Sequence, residues 1–127
     1  LVVLDSWALL AFLTNEPSAA RVEAAWVKQG AAICSINLGE ALYIRMRADG
    51  EESAVADIEN VRRRLDVVEP DWPLISAAAK VKAGGGLSYA DAFCIATAVR
   101  LKARLWTGDP EIVEQAGGHS CRVVDLR

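Results

Sequence analysis

A three-layer α/β/α sandwich around a mainly parallel sheet of about four to five short strands is the fold this sequence predicts. Three observations carry that expectation. Short aliphatic runs recur along the chain, the kind expected of strands covered on both faces. Segments with helical spacing separate them, giving the alternation of βα units. No internal repeat, linker or low-complexity segment interrupts the pattern, and 127 residues are enough for one domain (1–127) with a real core.

The elements follow in order. Leu1–Leu4 is the first strand, and Asp5-Ser6 starts a helix through Leu13 that carries Leu9, Leu10, Phe12 and Leu13. Pro17 opens a second helix with Val22, Ala25, Trp26 and Val27 turned inward, and Gly30 stops it. Ala31–Cys34 is the second strand, followed by a helix from about Ile36 to Ala48. Asp49-Gly50 breaks the chain before a polar helix from Glu51 to about Arg64. Asp66–Val68 is the third strand, closed by Pro70. A helix from Asp71 to about Ala83, with Ala77, Ala78 and Val81 on one side, ends at Gly84-Gly85-Gly86. Ser88–Lys102 is the most apolar helix, Leu105–Thr107 a strand, Pro110–Ala116 a short helix and Arg122–Leu126 the last strand.

Composition narrows the function. The chain is 53% hydrophobic and 24% charged, the balance of an ordinary globule. Its net charge of −3 excludes binding of nucleic acid by bulk charge, so any basic patch must be local. No apolar stretch reaches the ~18 residues of a membrane span. Leu1–Leu4 runs into Asp5 without a basic flank, which predicts no signal peptide, and the missing initiator Met suggests a trimmed start. Cys34, Cys94 and Cys121 lie in apolar elements without paired spacing, as buried reduced thiols of a cytoplasmic protein would. A single histidine, His119, and no Cys-x-x-Cys argue against zinc. Ser6 sits in no Gly-x-Ser-x-Gly elbow, which argues against a serine hydrolase.

Four acids need explanation: Asp5, Glu40, Asp91 and Asp109. Asp5 ends the first strand, and Asp109 follows Leu105-Trp106-Thr107-Gly108. Asp91 opens the apolar stretch Ala90–Leu101, and Glu40 interrupts the helical run Ile36–Ile44. In open parallel sheets, functional groups collect beyond the carboxyl ends of the strands, and all four positions fall on that rim. Singly, each has a plainer role: caps for Asp5 and Asp109, a capping box for Ser88–Asp91, a solvated position for Glu40. Together they point to a site. Two carboxylates about 4 Å apart repel by roughly 4 kcal/mol at an effective dielectric near 20. A divalent cation relieves that cost, and oxygen-only ligands select Mg²⁺ or Mn²⁺.

The same residues resemble the PIN-domain ribonucleases, most closely the VapC-like toxins of bacterial toxin–antitoxin pairs. Four segments carry the resemblance in order: Val2-Val3-Leu4-Asp5-Ser6, Ser35-Ile36-Asn37-Leu38-Gly39-Glu40, Leu87-Ser88-Tyr89-Ala90-Asp91-Ala92 and Thr107-Gly108-Asp109. It covers essentially the whole chain. Trp7 departs from it where a small residue is common, and Ile112 where an aromatic is common.

The resemblance implies a Mg²⁺- or Mn²⁺-dependent endoribonuclease in which Asp5, Glu40, Asp91 and Asp109 hold the metal. Asp5 and Asp91 are the first choice as direct ligands. Cleavage would leave a 5′-phosphate and a 3′-hydroxyl. Ser6 and Thr107 are candidates to orient the carboxylates, and Asn37, one turn before Glu40, to face the same site, with a structural cap the equal alternative for each. An RNA substrate, a cognate antitoxin and a homodimer follow by analogy, with Trp7, Phe12 and Trp26 as docking surface. Arg45, Arg47 and Arg62-Arg63-Arg64 read as solvated helix faces, Trp26 and Trp72 as core or interface anchors, and His119 as an exposed loop residue. The alternative is a non-catalytic PIN-like module that binds RNA or protein. A dehalogenase-type phosphatase would need Asp-x-Asp where this chain has Asp5-Ser6-Trp7. A receiver domain would need a lysine after a late strand, where Thr107-Gly108-Asp109 stands instead.

Overall fold

Val2–Leu4 (β1), Ala31–Cys34 (β2), Asp66–Val68 (β3), Leu105–Thr107 (β4) and Val123–Asp125 (β5) form one sheet in the computed structural model, which describes residues 1–127. Every neighbouring pair is parallel, in the order β3-β2-β1-β4-β5. The α/β/α expectation therefore holds. Helices separate the strands: Ser6–Leu13 (α1), Ala19–Gln29 (α2), Ser35–Asp49 (α3), Glu51–Arg62 (α4), Trp72–Ala83 (α5), Tyr89–Leu101 (α6) and Pro110–Gln115 (α7).

Alternation along the strands divides the core in two. Val3, Ala32 and Cys34 face one layer, where Leu74 and Ala78 of α5, residues Ala92–Ala96 of α6 and Ile112 of α7 pack. Val2, Leu4, Ala31 and Ile33 face the other, against Leu9 of α1, Val22 and Trp26 of α2, Leu38 of α3 and Ile58 of α4. The central strands are thus apolar on both faces, which is why they read as unbroken aliphatic runs.

Side-chain caps fix four helix starts. Asp5, Asp71 and Asp109 accept from backbone N–H groups of the first turns of α1, α5 and α7. Ser88 and Asp91 form a reciprocal capping box on α6. Some boundaries differ from expectation. Pro17-Ser18 forms a turn and α2 begins at Ala19. Val27 is 76% exposed, because the buried face runs through Ala19, Val22, Ala25 and Trp26, and Val27 lies one step round the helix from it. Ala77 and Trp72 are also exposed on α5. Helix α4 ends at Arg62, where the amides of Arg64 and Leu65 turn back to Val61 and Arg62. His119 is half-buried in a 3₁₀ turn against Gly84, rather than free in a loop. No helix is long and apolar enough to cross a membrane.

Candidate active site

The chain leaves β1 for β2 on one side, and later returns to place β4 on the other. This is the topological switch point of the sheet, where a crevice opens beyond the strand ends. Asp5 leaves β1 and Asp109 leaves β4 at that point. Glu40 enters from the second turn of α3 and Asp91 from the first turn of α6. All four acids predicted from the sequence lie near one another at this end of the sheet, each delivered by a different element.

Asp5 is the buried member, 2% exposed. Its Oδ1 accepts from the Ala8 amide at 2.8 Å, and its Oδ2 accepts from the Thr107 hydroxyl. Burial pushes its carboxyl up to about 7, and the charges of Asp109 and Asp91 push the same way against the two hydrogen bonds. Asp91 is half-buried and also raised, first by burial and then by Asp109 and Glu40, with Ser88 opposing. These mutual repulsions are the electrostatic signature of acids gathered at one place. No Lys or Arg forms an ion pair with any of the four.

Neighbouring hydroxyls and one amide hold the cluster. Ser6 donates to Glu40 Oε1, tying α1 to α3. Thr107 Oγ1 donates to Asp5 and accepts from the Asp109 amide at 3.0 Å, joining β1 to β4. Asn37 is 1% exposed and donates from Nδ2 to the Ala90 carbonyl at 2.9 Å, which fixes α3 against the start of α6. Its Oδ1 is buried without a partner. Thr107 and Ser6 each hold a carboxylate of the cluster, whereas Asn37 bridges α3 and α6 through a backbone carbonyl and bonds to none of the four.

As placed, no three carboxylates stand close enough to hold one ion among them. Caps partly account for this: Asp91 Oδ2 and Asp109 Oδ1 are turned to backbone amides. Asp91 Oδ1, Asp109 Oδ2 and Glu40 Oε2 remain without a hydrogen bond from the protein. Uncompensated like charges, an all-oxygen donor set and a buried orphan acceptor fit a hard divalent cation in chemistry.

Two further contacts were not anticipated from the sequence. Cys94, fully buried one turn after Asp91, donates to the Asp91 carbonyl at 3.0 Å. Burial, together with Asp5 and Asp91, holds its thiol well above the usual range. The i, i+3 spacing from Asp91 was the available signal. Trp7 lies so close to Gly108 that a Cβ there would meet its ring at 2.3 Å. Trp7 also lines an apolar cleft of about 430 Å³ with Leu10, Pro17 and Leu126. Trp26, by contrast, is buried, donates to the Arg64 carbonyl at 3.1 Å and lies under the Arg64 guanidinium, so it offers no docking surface. Arg45 pairs with Asp49 and Asp57, and Arg62 with Glu59.

A family profile described as the PIN domain matches residues 2–118. Among solved structures, the chain is similar to DNA-bound VapBC from Salmonella typhimurium (TM-score 0.80, 21% identity, covering 99% of this chain and 98% of that one). It is also similar to VapBC2 from Rickettsia felis bound to a promoter DNA fragment (TM-score 0.78, 15% identity, 98% and 97%). A third likeness is to VapC20 from Mycobacterium tuberculosis, a toxin that cleaves the sarcin–ricin loop (TM-score 0.74, 16% identity, 90% and 94%). No curated protein matches the sequence.

Proposed function

This chain belongs to the PIN-domain family, and from that premise we propose that it is a metal-dependent endoribonuclease, the toxin of a toxin–antitoxin pair. The observation that carries the reading is the cluster itself: four carboxylates from four elements, at the sheet's switch point, with no cationic side chain among them. The whole of residues 1–127 acts as one PIN-like domain. Asp5, Glu40, Asp91 and Asp109 hold Mg²⁺ or Mn²⁺, with Asp5 and Asp91 as the direct ligands.

When bound, the cation offsets the repulsion among the acids, makes water a nucleophile near neutral pH and stabilises charge on the scissile phosphate. The protein's own part is positioning. Thr107 fixes Asp5 and the Asp109 backbone together, and Ser6 fixes Glu40. Asn37 sets the start of α6, and with it Asp91, at a constant distance from α3. The products are a 5′-phosphate and a 3′-hydroxyl.

The cognate antitoxin docks in the apolar cleft beside Trp7, whose ring abuts the Gly108-Asp109 turn. Structural likeness to chains from VapBC complexes supports that partner. The protein works as a homodimer in the cytoplasm. A second reading, a non-catalytic module that binds RNA or protein, draws on the cap roles of Asp91 and Asp109 and on the splayed carboxylates.

Incubating the antitoxin-free protein with total RNA and Mg²⁺ or Mn²⁺ separates the two. Cleavage that requires the metal and falls more than ~100-fold in both Asp5→Asn and Asp91→Asn is the expected result. Thr107→Val, which removes only an orienting hydroxyl, should lose roughly 10–100-fold. RNA binding with no cleavage under any metal would establish the module instead.

A further inference from the structure

The edge of the sheet opposite the acids carries the chain's unspent positive charge. Because all strands are parallel, the segments leading into β2, β3, β4 and β5 meet at one amino edge. They hold Lys28, Arg62, Arg63, Arg64, Lys102, Arg104 and Arg122, half of the 14 Lys and Arg in a chain of net charge −3. Only Arg62 forms an ion pair, with Glu59. Lys102, Arg104 and Arg122 line a cleft of about 380 Å³ that contains no acid, and the partly exposed Trp106 forms part of its wall. Arg21 lies over the Trp106 ring at 5.6 Å and adds a fourth cation at the margin.

Lys102, Arg104 and Arg122, exposed, free of ion pairs and grouped in an acid-free cleft, are the chemistry of a groove that tracks the backbone of a single strand. The cations take the phosphates of a flexible backbone, while Arg21 covers the indole face and adds its charge to the wall. We propose that this cleft binds the backbone of a single-stranded RNA, as a second contact remote from the acid rim. Arg104 enters β4 and Asp109 leaves it, an extended run of roughly 16 Å at ~3.3 Å per residue. A strand held at both places is anchored by its flank while the acids face the bond to be cut. The inference rests on the ribonuclease reading for the identity of the strand, but the cleft's binding can be measured without cleavage.

Fluorescence anisotropy of a labelled oligouridylate of about 16 nucleotides, in EDTA and at rising KCl, isolates the cleft, because the acid rim then has no cation to attract phosphate. The Arg104→Gln/Arg122→Gln protein is expected to bind more weakly at low salt. Its log–log salt slope should be shallower by about 1.4, two phosphate contacts at ~0.7 each, with an unchanged thermal midpoint. An Arg47→Gln/Lys80→Gln protein, altered on other surfaces, should keep the native slope. Equal affinity and slope in the cleft variant would overturn the inference, as would tighter binding of duplex DNA of the same length than of the single strand. The ribonuclease reading fails on a different result: cleft-dependent binding of the oligouridylate with no cleavage of total RNA in Mg²⁺ or Mn²⁺. Metal-dependent cleavage with cleft-independent binding would keep the nuclease and remove the cleft.

Discussion

Asp5 carries the largest conflict at the residue scale. A carboxylate at 2% exposure, near two other acids, is held only by the Thr107 hydroxyl and the Ala8 amide. Its carboxyl titrates at about 7 in the fold against an ordinary 3.8. Between those values the folded chain keeps a proton that the unfolded chain has released. The metal-free protein therefore gains stability as pH falls from about 7 towards 3.8, and loses it as pH rises through 7, by a few kcal/mol from this group. Thermal midpoints in EDTA across that window should show the trend in the native protein and a flatter profile in Asp5→Asn. Parallel profiles for the two proteins would mean that Asp5 is already ionised in the fold. The sequence revealed the position of this residue, because an acid closing an aliphatic strand has few readings. It could not reveal the partners, since Thr107 is far along the chain and only the sheet brings it to Asp5.

Among the elements, the turn from β4 into α7 is the most constrained. Thr107 is tied to Asp5, Asp109 caps α7, and Gly108 between them touches the Trp7 ring of α1. Here glycine is needed for space, because its Cβ would overlap the indole. Gly108→Ala is expected to destabilise by about 1–3 kcal/mol, typical of overpacking, and to displace Asp109 enough to reduce metal-dependent cleavage. Adding Trp7→Leu should recover much of the stability, a coupling that chemical denaturation of the two single variants and the double variant would measure. Additive losses would show that the two residues do not press on each other. Element order was readable from the sequence, since the caps Asp5, Asp71, Ser88 and Asp109 are local chemistry. Exposure was less so. Val27 and Ala77 look as apolar as their neighbours, and only the angle at which each helix meets the sheet sends them to solvent.

For the whole molecule, three thiols report on the fold. Cys34, Cys94 and Cys121 are buried, and burial raises each thiol above its ordinary range, Cys121 to about 11. Both properties suppress attack by thiol reagents in the native state. Labelling should follow global opening, and a cation bound at the acid rim should slow it. Saturation at ~100 times the dissociation constant adds about 2.7 kcal/mol, roughly a hundredfold in the open population. Disulfide-exchange kinetics with and without Mn²⁺ would measure this, and Asp5→Asn should remove the difference. An Mn²⁺ effect that survives in Asp5→Asn would place the ion elsewhere.

The β1–β4 pairing also has a consequence in time. Asp5 is synthesised 102 residues ahead of its partner Thr107, and Asp109 follows Thr107. Until β4 has slotted in beside β1, the four acids belong to separate, unassembled segments. The cluster therefore comes into being only after β4 has been made and paired, and a growing chain that has not reached β4 carries no assembled set of acids.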